Sequence, residues 1–182
     1  MIDHNPSPIA VSSDSFFYEK DKSGSVLVMG VGNYLMGDEG IGVHLIQKMA
    51  QRQLPDYMDI LDGGTGGFLL LNCFDSYPQV IFIDATMDGK APGTISLTRP
   101  RFASDFPSAL SVHDVGLKDM VEAMFLSGHI PELHLVTISI DKIDPMCMEL
   151  SDAVKNAIDP AIDIVFKTAK DIRQAFTNQQ KS

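Results

Sequence analysis

The sequence predicts an α/β fold, a three-layer α/β/α sandwich around a twisted, mostly parallel sheet. Three observations carry this. Apolar β-branched runs alternate with segments of helical periodicity through almost the whole chain. The run QVIFIDA at 79–85 stays apolar until Asp84 at its C-terminal end. The first such run, 26–31, passes through a glycine turn directly into a helical pattern, the opening of a doubly wound sheet. At 182 residues the chain is one catalytic-sized domain, long enough to bury roughly 70% of the surface its unfolded form exposes.

Residues 1–24 are polar and aperiodic apart from Phe16, Phe17 and Tyr18, and read as a flexible arm. Residues 25–176 read as a single α/β domain, and 177–182 as a polar tail. Within the domain, 26–31 is a buried strand. Residues 40–49 form a helix, with Ile41, Leu45, Ile46 and Met49 near one face. A second strand spans 58–61 and ends at the turn Asp62-Gly63-Gly64-Thr65; a short helix follows over 67–73. The strand at 79–85 leads through MDGKAPG to an edge strand at 94–97, which Pro100 stops. Leu117, Met120, Val121 and Met124 recur at helical spacing over 113–126. The last strand is 133–140, and a final helix covers 151–176, kinked or divided at Pro160.

Composition excludes several function classes. The net charge is −10, which opposes nucleic-acid binding through general electrostatics. No run approaches the roughly 18 uninterrupted apolar residues of a membrane span, and the first 24 residues lack the apolar core of an export signal. Cys73 and Cys147 form neither a metal-binding pair nor a secreted disulfide pattern, so the expected compartment is the cytoplasm. The chain holds 10 methionines. These fill irregular gaps in a core; an adaptable peptide-binding groove is the sharper alternative.

The most informative motif is VLVMGVGNYLMGDEGIGV at 26–43. A glycine turn after a first strand ordinarily leaves room for a phosphate. Here Asp38 and Glu39 occupy that position, and two carboxylates at a helix mouth suit a cation better than an anion. Asp84 closes the 79–85 strand and His113 opens a later helix. Glu39, Asp84 and His113 together supply two carboxylates and an imidazole, a half-built coordination sphere for zinc, nickel, manganese or iron. Each has a plainer reading. Glu39 complements a helix N-terminus, Asp84 stabilises the next turn, and His113 is an ordinary half-buried histidine. Asp62 is a supporting acceptor, Asp114 a first-turn acid, and Asn33 a residue that holds the glycine turn through backbone groups. GxSxG and HExxH are absent, so any hydrolysis points to a metal-polarised carbonyl or metal-activated water.

At this point the chain resembles the hydrogenase maturation endopeptidases, the nickel-dependent proteases that process NiFe hydrogenase large subunits. The resemblance rests on Gly30-Val31-Gly32-Asn33-Tyr34-Leu35-Met36-Gly37-Asp38-Glu39-Gly40-Ile41-Gly42, Leu61-Asp62-Gly63-Gly64-Thr65, Ile83-Asp84-Ala85, Ala91-Pro92-Gly93-Thr94 and His113-Asp114-Val115-Gly116-Leu117. These matches fall in family order and cover about 25–169. The resemblance implies a five-stranded sandwich and a metal-dependent endopeptidase, aspartyl-type in the family's label, with Glu39, Asp84 and His113 as nickel ligands. It implies removal of a C-terminal extension from the large-subunit precursor after nickel insertion. The nickel is borne by the substrate, with zinc or cadmium able to replace it in a crystal. Asp84 and Asp38 are both candidates for the residue that activates water. The arm before Ser25 exceeds what the family core requires, and Asp114 and the acids Asp141, Asp144 and Glu149 are places where partner choice differs.

Three other readings compete. A peptidyl-tRNA hydrolase-like enzyme shares the glycine turn, but the acid excess opposes an RNA substrate. A nucleotide-binding module is weakly supported by GVG and opposed by Asp38-Glu39. A non-proteolytic chaperone for a hydrogenase subunit would dock without cutting.

Overall fold

The computed structural model describes residues 22, 24–74, 76–101, 105, 122–124 and 131–179. Five strands form one sheet: β1 (Val26–Val31), β2 (Met58–Gly64), β3 (Gln79–Thr86), β4 (Ile95–Thr98) and β5 (Glu132–Ser139). Their order is β2-β1-β3-β5-β4. The first three contacts in that order are parallel, and β4 runs antiparallel to β5 at the edge. Helices among the described residues include α1 (Ile41–Met49), α2 (Leu71–Phe74) and α3 (Asp152–Gln179). The expected sandwich is thus the observed one.

Strand alternation sorts the core onto two faces. Val26, Val28, Ile81, Ile83, Val136 and Ile138 point one way and pack with Leu45, Met49, Val154, Ile162 and Val165 of α1 and α3. Leu27, Met29, Val80, Phe82, Leu133 and Leu135 point the other way, against Phe74 of α2, Tyr77 and Met124. Residues 122–124 are helical, as the period over 113–126 predicts; the rest of that segment lies outside the described residues.

The boundaries moved where pairing overrode local signals. The turn expected at Asp62-Gly63-Gly64 is still strand, because β2 stays paired to β1 through Gly30↔Asp62 and Val31↔Gly64, with a shift of register between. The helix expected over 67–73 opens as a 3-10 turn, Gly67–Leu70, before α2. Helix α3 extends three residues into the predicted tail and is not divided at Pro160. Pro160 and Asn156 both face solvent, so the carbonyl that the proline leaves without a donor is reached by water. Of the stretch read as an arm, Lys22 and Gly24 are described and are held. The Lys22 ammonium lies 2.7 Å from Asp59, and the Gly24 carbonyl accepts from Arg173 at 2.8 Å. Residues 1–21 lie outside the described residues.

Candidate active site

Near the C-terminal end of β1, Gly30 lies opposite Ile83, and β3 runs on to Thr86. Beyond them the chain makes the turn that carries Glu39. Gly32 has φ 141°, and a Cβ there would lie 2.4 Å from the Glu39 carbonyl oxygen. Only glycine permits that reversal of direction. A 3-10 turn, Gly37–Gly40, then delivers the chain into α1. A Cβ on Gly42 would meet the Val31 carbonyl oxygen at 2.2 Å and that of Ile83 at 2.5 Å. The first turn of α1 therefore rests directly on the strand ends, one residue from Asp84.

Glu39 and Asp84 are both buried, at 2% and 0% exposure. One Glu39 oxygen, Oε2, accepts from the Asn33 amide at 2.5 Å, while Asn33 Oδ1 accepts from the Leu35 amide at 3.0 Å. Asn33 thus folds the turn as expected and also braces Glu39, a role not read from its position. Asp84 Oδ1 accepts from the Ala85 amide at 2.8 Å. By alternation Asp84 shares a face with Val80 and Phe82, opposite α1, whereas Glu39 approaches from beyond the rim. The loop after Asp84 is anchored by Asp88, which accepts from Ser139 Oγ at 2.8 Å and pairs with Lys90 at 2.7 Å. The Lys90 hydrogen bond, followed by that of Ser139, holds the Asp88 carboxyl below its ordinary range.

Asp38 is differently employed. Its two oxygens accept from the Ser151 amide and hydroxyl, both at 2.7 Å. It ties the turn to the segment that enters α3. Ser151 carried no site signal in the sequence beyond being a small polar residue before a helix. His44, also unremarked from sequence, stacks on Tyr34 with ring centroids 4.5 Å apart. Burial lowers its pKa, against the opposing pull of a hydrogen bond to the Met148 carbonyl and of the Asp38 charge. Asp62 Oδ1 accepts from the Gly64 amide at 3.0 Å and shapes its own turn.

His113 and Asp114 lie outside the described residues. Among the described residues no three His, Cys, Asp or Glu side chains are grouped to hold an ion. No described helix is long and apolar enough to cross a membrane. A cleft of about 180 Å³ at the opposite rim is lined by Arg99, Pro100, Arg101, Pro131, Glu132 and Leu133. Its Arg99 guanidinium is already paired with Glu132, and it is far in topology from Glu39 and Asp84.

Comparison with known proteins now bears on this arrangement. The sequence model of the family described as hydrogenase maturation protease (HycI) matches residues 43–168. The chain is 37% identical to the hydrogenase 2 maturation protease of Escherichia coli (strain K12), over 80% of this chain and 91% of that protein. It is 36% identical to the hydrogenase expression/formation protein HupD of Bradyrhizobium diazoefficiens, over 76% of this chain and 74% of that one. Among solved structures, the hydrogenase maturating endopeptidase HybD from E. coli superposes with a TM-score of 0.72 at 36% identity, covering 81% of this chain and 93% of that chain. The hydrogenase 2 maturation peptidase from a Thaumarchaeota archaeon gives 0.63 at 30% identity, covering 79% and 97%.

Proposed function

The chain belongs to the hydrogenase maturation protease family, and from that premise we propose that it removes the C-terminal extension of a NiFe hydrogenase large-subunit precursor once nickel has been inserted. The observation that carries the reading is the pair of buried carboxylates, Glu39 on a glycine turn that would otherwise suit a phosphate and Asp84 near the C-terminal end of β3. Burying two carboxylates is expensive unless something positive meets them.

In this reading Glu39, Asp84 and His113 complete the coordination of the nickel that the precursor carries on its own thiolates. The enzyme's donors are hard oxygens and one imidazole, which hold nickel weakly alone and firmly when soft sulfur ligands are already present. A metal-free precursor then lacks the feature that is recognised, and nickel loading gates cleavage. The substrate's ion polarises the scissile carbonyl or orients the attacking water. Met124, within the helical stretch 122–124, is buried on the face of the sheet that Asp84 shares. Asp38, with both oxygens given to Ser151, acts by positioning the turn. The compartment is the cytoplasm, and the partner is the precursor rather than nucleic acid.

The test is cleavage of nickel-loaded and metal-free precursor, read by mass analysis of the large subunit's C-terminus. Wild type cuts only the loaded form. Glu39→Ala, Asp84→Ala and His113→Ala each lose about a hundredfold or more in kcat/KM. Equal cleavage of both precursor forms overturns the gating, and binding without any cleavage favours the chaperone reading.

A further inference from the structure

The described methionines differ in their surroundings. Met29, Met49, Met58 and Met124 are buried in the core. Met146 and Met148, by contrast, are 86% and 54% exposed, on the segment that leads from β5 to α3. Leu35, 46% exposed, lies on the turn whose backbone bonds to that segment. Among the described residues these are three of only five large apolar side chains left in water, the others being Met87 and Leu97.

The two segments are locked together. Met36 and Cys147 form a parallel bridge, the Gly37 amide donates to the Cys147 carbonyl at 2.7 Å, and the Cys147 amide donates to the Leu35 carbonyl at 3.2 Å. The Asp38–Ser151 bonds close the far end. Met146 has φ 62°, a left-handed conformation that non-glycine residues rarely adopt. Leu35 is thus on the turn that leads to Glu39, and Met146 and Met148 flank Cys147 on the segment hydrogen-bonded to that turn. Around them, 141–152 contains Asp141, Asp144, Glu149 and Asp152 against Lys142 alone. That lysine is already paired with Asp144 at 2.9 Å.

We propose that Leu35, Met146 and Met148 form a docking platform, continuous with the candidate active site, for an extended segment of the precursor in which an apolar side chain is flanked by basic residues. This rests on the proteolytic reading. Thioether side chains adapt to apolar partners of differing shape, and the surrounding carboxylates select for cationic neighbours. The same charges oppose a second copy of this chain, whose platform would bring like against like.

The experiment measures dissociation constants of a nickel-loaded NiFe hydrogenase large-subunit precursor, with cleavage followed in parallel. The Met146→Glu/Met148→Glu double variant is expected to weaken binding and raise KM about tenfold or more with kcat unchanged. Met146→Leu/Met148→Leu keeps wild-type values. Raising the salt concentration weakens wild-type binding. Equal binding by wild type and the glutamate variant overturns the platform, even where both cleave. Binding that is lost in the glutamate variant upholds the platform even where wild type fails to cleave, in which case only the proteolytic reading falls. A glutamate variant that loses only self-association, by light scattering, assigns the patch to a second copy and overturns the proposal.

Discussion

The two rims of the parallel sheet treat charge in opposite ways. At the N-terminal rim, Glu132 is shared among Arg99, Gln79 and His134; Glu132 and the Arg99 guanidinium are part-exposed, and only His134 is largely covered. Such groups offset one another in a high dielectric, at little gain and little expense. At the C-terminal rim, Asp38, Glu39 and Asp84 are all buried, at 8%, 2% and 0% exposure. Their described hydrogen bonds come from backbone amides and one serine hydroxyl. A fold selected for stability alone has no need to bury three carboxylates at one end of a sheet. In the proposed function the C-terminal rim is the working end, which fits a sheet whose parallel strands send their loops out from the carboxyl ends.

Substitutions at three positions break or sharpen this contrast. The largest effect is expected from Gly42→Ala, whose methyl meets two backbone oxygens that cannot rotate away. It forces α1 off the strand ends, at about 3 kcal/mol of stability by denaturant titration. It also lowers processing, because Glu39 moves with the helix start. Next is Asp38→Ala, which removes both hydrogen bonds to Ser151 and costs about 2 kcal/mol. Asp38→Asn keeps one acceptor and recovers part of the stability. An Asp38→Asn enzyme that is as stable as wild type yet inactive would show that Asp38 takes part in the chemistry and does not only hold the turn. The smallest effect belongs to Arg99→Ala at the other rim, within about 1 kcal/mol and with unaltered processing. A loss of processing there would remove the distinction between the rims.

Much of the fold was legible because alternation and periodicity are strong in this chain. The 79–85 strand, the helix after the glycine turn and the order of elements follow from burial patterns that each segment states locally. The misplacements share a cause. Asp62 and Gly64 carry turn chemistry, yet β1 supplies pairing partners that hold them in the ladder. Pro160 carries a helix-breaking signal, yet α3 is continuous because its buried stripe, Val154, Ala157, Ala161, Ile162 and Val165, outweighs one missing hydrogen bond on a solvated face. In the site, the carboxylates were recognisable by type and position. The separate duties of neighbouring Asp38 and Glu39 were not, since they depend on Ser151, 113 residues from Asp38 along the chain.

By itself the sequence determined the α/β order, the acidic glycine turn and the motifs shared with a protease family, because each is written in residues adjacent along the chain. Only the tertiary structure decided that Asn33 braces Glu39, that Asp38 clasps Ser151, and that Leu35 meets the methionine segment at one rim. Those relations are set by which strand ends lie side by side, and chain order alone does not specify that.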